Sequence, residues 1–111
     1  MKNVLVLFAT AIISLSCSQS KHEETIKVDG SSTIIDVRTA KEYKDGHLES
    51  AINIPHTEIG ARIADHVRNR EGKITVYCRS GRRSGIAKKT LEDIGYKNVV
   101  NAGAYARLKE K

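Results

Sequence analysis

The sequence predicts a single α/β domain on a mostly parallel sheet, and three observations carry that prediction. From Thr25 onward, short β-branched apolar runs alternate with stretches of helical periodicity, the pattern of strand–helix–strand crossovers. The run Lys73-Ile74-Thr75-Val76-Tyr77 leads into Cys78-Arg79-Ser80-Gly81-Arg82-Arg83-Ser84-Gly85 and then a helical pattern: strand, short glycine-bearing loop, helix N-terminus. With 111 residues, 40% hydrophobic content, no Trp and a single Phe, the chain has room for one small domain with an aliphatic core.

The first segment is not part of that fold. Lys2 precedes the apolar run Val4 to Ile13, and Ser14, Ser16 and Ser18 surround Cys17. A charged start, an apolar stretch of this size and a small-residue end predict a secretory signal peptide over residues 1–17. The run is shorter than the roughly 20 residues of a membrane span. Ile13-Ser14-Leu15-Ser16-Cys17 resembles the lipobox of bacterial lipoproteins, which makes Cys17 a lipidation candidate and residues 18–25 a flexible tether. Ordinary cleavage near Ser16 to Ser20 is the other reading. Either way the chain is expected to be exported to the periplasm, touching membrane only through an N-terminal lipid. The folded domain is expected over residues 26–111.

Within it, Ile26-Lys27-Val28 reads as a short edge strand and Asp29-Gly30-Ser31-Ser32 as a turn. Thr33-Ile34-Ile35-Asp36-Val37 is a buried strand. Thr39-Ala40-Lys41-Glu42 has the spacing of a capping box, and its helix stops at Gly46. Ala51-Ile52-Asn53-Ile54 is the next strand, closed by Pro55. Thr57 can cap a helix running through Arg70, with Ile59, Ile63 and Val67 as its apolar stripe. After the strand at 73–77 and the cysteine loop, a helix with Ile86, Ala87, Thr90, Leu91 and Ile94 on one face ends at Gly95. Val99-Val100-Asn101 is the last of five strands, and a basic tail is helical through Leu108.

Chemistry concentrates in the loop. Cys78 is the only cysteine after Cys17, in a compartment where disulfides form, so it has no internal partner. Backbone N–H groups, a helix N-terminus and Arg79, Arg82 and Arg83 around one sulfur favour a thiolate acting on an anionic substrate. Cys78 and Arg83 stand as C-x4-R. The C-x5-R loop of cysteine phosphatases is one residue longer and surrounds a tetrahedral phosphate. Here the residue five positions on is Ser84, which cannot replace a bidentate arginine.

In order, Asp36-Val37-Arg38, Gly46-His47, Ala51-Ile52-Asn53-Ile54-Pro55, Val76-Tyr77-Cys78-Arg79-Ser80-Gly81-Arg82-Arg83-Ser84, Gly95-Tyr96 and Val99-Val100-Asn101-Ala102-Gly103 resemble the landmarks of a rhodanese domain. The resemblance spans about residues 26–108. It implies a three-layer α/β fold with a central, mostly parallel five-stranded sheet flanked by helices, and sulfane-sulfur transfer through a cysteine persulfide. Carried over, Cys78 is the nucleophile. Arg79, Ser80, Gly81, Arg82, Arg83 and Ser84 bind the anion, and Asp36 and Arg38 support the fold beside the loop. Ser50 stands where the family usually has Gly, which predicts a turn that is slightly strained or altered, and Ala104 replaces a second Gly.

The expected reaction takes a sulfur from thiosulfate to cyanide or a thiol, without an organic cofactor. A sulfur carrier or anion-binding module with little turnover is the alternative, and phosphatase or arsenate reductase chemistry on a related fold is a third. No metal is expected, because His22, His47, His56 and His66 show no ligand spacing with one another or with Cys. The net charge of +6 falls only to +5 without residues 1–17, since Lys2 alone is lost there. With three arginines in one loop and no aromatic-plus-basic stripe, that charge points to a small anion and not to nucleic acid. A monomer is expected.

Overall fold

The computed structural model describes residues 31–109. Four parallel strands, β1 (Thr33–Asp36), β2 (Ile52–Asn53), β3 (Ile74–Cys78) and β4 (Val99–Ala104), lie in the order β2-β1-β3-β4. The helices are α1 (Ala40–Lys44), α2 (Ile59–Arg62) with a following 3-10 turn (Ile63–Asp65), α3 (Arg82–Asp93) and α4 (Tyr105–Leu108). This is the α/β architecture expected from the alternating pattern. Ile26-Lys27-Val28, the expected fifth strand, lies outside the described residues, as do the signal segment, Cys17 and the tether.

β3 is the central strand and every one of its residues is buried. Alternation along it divides the core in two. Ile74, Val76 and Cys78 join Ile35, Val37, Ile54, Ile59, Ile63, Val67, Ala87, Leu91, Tyr96 and Val99 on the face covered by α2 and α3. Tyr77 packs on the other face with Ala51 and Ala102, beneath Tyr43, Leu48, Tyr105 and Leu108. Chain direction reverses in lateral order between β1 and β3, and the carboxyl ends at such a switch point frame a crevice. Asp36 and Cys78 sit at those two ends.

Several elements depart from expectation. The helix after Pro55 begins at Ile59 and gives way to the 3-10 turn; it does not run from Thr57 to Arg70. The Glu58 N–H is turned back to the Pro55 carbonyl, which delays the start. At the far end the Tyr96 hydroxyl takes the Val67 carbonyl, and the Asn69 side chain accepts from Glu71 N–H. Those bonds compete with further helical turns. Even so, Ile59, Ile63 and Val67 are all buried, so the stripe is right although the helix is short. The strand expected over 51–54 is only Ile52–Asn53. On α3 the buried residues are Ser84, Ala87 and Leu91, whereas Ile86 and Ile94 are 44% and 39% exposed.

β4 runs three residues beyond Asn101 because it contains a bulge. Val76 pairs with Asn101 and Tyr77 with Gly103, so Ala102 is the extra residue, and Gly103 takes the left-handed φ of +90°. The same left-handed region is occupied by Ser50 at φ +73°, the one such non-glycine among the described residues. The strain expected there from the missing glycine is present in the backbone.

Candidate active site

β3 ends in Cys78, and the chain must then turn sharply to start α3 four residues later. Gly81 makes the turn at φ +102°, a conformation that L side chains rarely adopt. As the N-cap of α3 it has no side chain to satisfy the first helical N–H groups. The sulfur of Cys78 does this instead: Sγ accepts from Gly81 N–H at 3.0 Å and from Ser84 N–H at 3.3 Å. The Ser84 hydroxyl lies 3.4 Å from the same sulfur.

Cys78 is a free thiol with no exposed surface. Burial pushes its pKa up, but the bonds open to a thiolate, from the Ser84 hydroxyl once it turns to the sulfur and from the Ser84, Gly81 and Ser80 N–H groups, outweigh burial and bring it below the ordinary thiol value. The geometry therefore favours a thiolate through hydrogen bonds at a helix start.

The loop arginines take different partners, and Arg83 stays within electrostatic reach of the Cys78 sulfur. Arg83 turns to Glu42 and makes a bidentate pair, Nη1 to Oε1 at 2.8 Å and Nη2 to Oε2 at 3.1 Å. Arg79 reaches outward, its side chain 78% exposed and its Nη1 3.9 Å from Glu42 Oε2. Arg82 and Ser80 are exposed, while Ser84 is fully buried. Glu42 appeared in the sequence only as a helix cap. It keeps that role, accepting from Thr39 N–H and Thr39 hydroxyl, while also holding Arg83.

Beside the loop, Asp36 and Arg38 form a buried unit. Asp36 Oδ1 accepts from Arg38 backbone N–H and Nε, each at 2.9 Å, and Oδ2 accepts from Nη2 at 2.6 Å. Arg38 also donates to the Gly46 carbonyl and lies over the Tyr105 ring, 4.5 Å from its centroid. The Tyr77 hydroxyl donates to Asp36 Oδ2 at 2.9 Å and accepts Leu48 N–H at 3.0 Å. In the sequence Tyr77 is the last residue of the strand and part of a family landmark, with no role of its own. Its position directly before Cys78 on a two-sided strand was the available sign that its ring faces the opposite layer. A cleft of about 290 Å³ opens above, lined by Arg38, Glu42, Asp45, Arg79, Tyr105 and Ala106.

Asn101, in the sequence the end of a strand and part of a family landmark, also reaches the loop. Its Nδ2 donates to the Gly81 carbonyl at 3.3 Å, and its Oδ1 lies 2.6 Å from the Ser84 hydroxyl. The bulge in β4 aims it there, and the Gly103 N–H bound to Oδ1 holds the amide in place. Among the described residues no three His, Cys, Asp or Glu side chains converge on a metal position.

The sequence profile of the rhodanese-like domain family matches residues 18–109. Thiosulfate sulfurtransferase PspE of Escherichia coli (strain K12) is 46% identical over 69 residues, a segment spanning 62% of this chain and 66% of that protein. Among solved structures, a rhodanese with anions from E. coli superimposes with a TM-score of 0.67 at 42% identity, covering 68% of this chain and 89% of that one. The human single-domain sulfurtransferase TSTD1 gives a TM-score of 0.64 at 27% identity over 74% of this chain and 84% of that one.

Proposed function

Because the chain belongs to the rhodanese-like domain family, we propose that it is a thiosulfate sulfurtransferase working through a persulfide on Cys78. The observation that carries this reading is the sulfur's place as the capping acceptor of α3, where Gly81 and Ser84 N–H groups meet it. Those donors stabilise negative charge on sulfur before attack, and on the departing group as charge develops.

In the first half-reaction the Cys78 thiolate attacks the outer sulfur of thiosulfate. A Cys–S bond forms, the S–S bond of thiosulfate breaks, and sulfite leaves with the bonding pair. In the second, cyanide or a thiolate attacks the outer persulfide sulfur and the electron pair returns to Cys78 as thiolate. Two half-reactions on one nucleophile give ping-pong kinetics. Arg79 and Arg82, both exposed at the loop, meet the incoming dianion, while Arg83 braces the loop through Glu42. Asp36 and Arg38 hold the end of β1 against the loop and do no chemistry.

The proposal extends to location: the Lys2 start and the Val4–Ile13 apolar run support export to the periplasm, with Cys17 as the lipid-bearing residue, and the domain acts as a monomer. Palmitate labelling that disappears in Cys17→Ser, together with cell fractionation, tests the first part.

The activity is tested by intact mass before and after thiosulfate. Wild type is expected to gain the mass of one sulfur, removable by cyanide, and Cys78→Ser to gain none. Sulfur loading in Cys78→Ser would overturn the reading, and loading with negligible cyanide-dependent turnover would identify a carrier instead.

A further inference from the structure

The Ser84 hydroxyl has three acceptors within reach and one proton to give. Its oxygen lies 2.6 Å from Asn101 Oδ1, 3.1 Å from the Gly81 carbonyl and 3.4 Å from Cys78 Sγ. The orientation of the Asn101 amide is set by its other bonds, since Oδ1 accepts Gly103 N–H at 2.9 Å and Nδ2 donates to Gly81 O. The atom facing Ser84 is therefore an acceptor only. The shortest contact takes the hydroxyl proton, which leaves a lone pair of Ser84 Oγ facing the sulfur. A protonated Cys78 can donate into that lone pair. A thiolate cannot, and needs the hydroxyl proton for itself.

We propose that Asn101 is a positioning residue that competes with Cys78 for the Ser84 hydroxyl proton and thereby sets how readily the sulfur becomes a thiolate. The change is a rotation about the Ser84 Cβ–Oγ bond. One O–H···O hydrogen bond to Asn101 breaks, one O–H···S hydrogen bond forms, and the only proton released is the thiol's own, to water. The competition links the bulge in β4 to the reactive state of the loop: wherever the bulge holds Asn101 against Ser84, the sulfur keeps its backbone N–H donors and lacks the hydroxyl. Ser84 is fully buried, so water does not take Asn101's place. The inference rests on the reading of Cys78 as the sulfur nucleophile, but its test does not require sulfur transfer.

The test is a thiolate titration by ultraviolet absorbance in the full chain carrying Cys17→Ser, so that Cys78 is the titrating cysteine. Asn101→Leu and Ser84→Ala are compared singly and together. With Ser84 present, Asn101→Leu leaves the hydroxyl a choice between the Gly81 carbonyl and the sulfur, of which a charged thiolate is the stronger acceptor, and is expected to lower the Cys78 midpoint by about half a unit to one unit, relative to its effect in the Ser84→Ala chain. Asn101→Leu also removes the clamp on Gly81, and the comparison across the two backgrounds cancels that part. An equal shift in both backgrounds, or a relative rise with Ser84 present, overturns the proposal. If Asn101→Leu does not fold, as judged by circular dichroism, Asn101→Ala is read in the same way. A chain that titrates as expected but takes no sulfur from thiosulfate would overturn the proposed activity alone.

Discussion

Glu42 and Arg83 face each other as a bidentate pair, with both guanidinium contacts at 3.1 Å or less, and the pair joins α1 to the start of α3. Arg83 is the principal reason that the Glu42 carboxyl is held down to about 2, ahead of the Thr39 bonds that assist it. A folded value below the unfolded one means the pair's contribution is complete above pH about 4.5 and is lost as pH falls toward about 2. Glu42→Gln keeps the shape and loses the charge. Allowing for solvent screening of a partly exposed pair, it is expected to cost about 1–2 kcal/mol near neutral pH. Denaturant titrations across the acid range check this: the gap between wild type and variant should close toward the acid end, and a gap constant with pH would refute the assignment.

Sulfur loading should itself depend on pH. The Cys78 thiol lies below its ordinary value of 9.0, so the thiolate, and with it the rate of reaction with thiosulfate, rises with pH through a midpoint below that value. Single-turnover sulfite release measured against pH gives the midpoint directly. A midpoint at or above the ordinary thiol value would show that burial dominates over the loop donors.

Asp36→Asn leaves the Arg38 guanidinium buried without a counter-charge. Stability is expected to fall by about 3–5 kcal/mol, the usual cost of removing one partner from a buried pair. Urea unfolding monitored by circular dichroism reads the loss, and a change below about 1 kcal/mol would mean that Gly46 and the tyrosine rings alone satisfy Arg38.

Tyr77→Phe removes one hydroxyl that donates to Asp36 and accepts from Leu48 N–H. Burial, first of all, raises this phenol above its ordinary range, so it stays a donor throughout the working pH range. The variant is expected to lose about 1–3 kcal/mol while still loading sulfur, because the bonds to Cys78 Sγ come from the loop. Equilibrium unfolding and intact mass measure the two effects separately.

Ser50→Gly is expected to stabilise. Relief of a left-handed serine is worth about 1–2 kcal/mol, and the greater freedom of glycine in the unfolded chain takes back about 0.4–1 kcal/mol. A melting temperature raised by a few degrees would agree, and a fall would show that the serine side chain holds the turn.

Local patterns were the legible part of this chain. The Thr39–Glu42 capping box, the Ile59, Ile63 and Val67 stripe and the end of α3 before Gly95 follow from neighbours within a turn or two, where side-chain spacing and capping act. The helix boundaries after Pro55 were not legible. They depend on bonds from remote partners, above all the Tyr96 hydroxyl on Val67 O. Ile86 fits the apolar spacing of α3, yet it is exposed, because among the described residues no other layer lies over that side of the helix.

By itself the sequence determined the α/β class and the strand–loop–helix setting of Cys78, since each is encoded by residues adjacent in the chain, while the turn at Ser50 stood out only through the family resemblance. Tertiary structure decided which charges and donors reach the site. Arg83, close to Cys78 in sequence, is also paired with Glu42 across the fold. Asn101, distant in sequence, is brought against Ser84 by a bulge in the neighbouring strand. Hydrogen bonds and ion pairs act over a few ångströms, so their partners are chosen by parallel strand order and bulge register, which place together residues that no local pattern pairs.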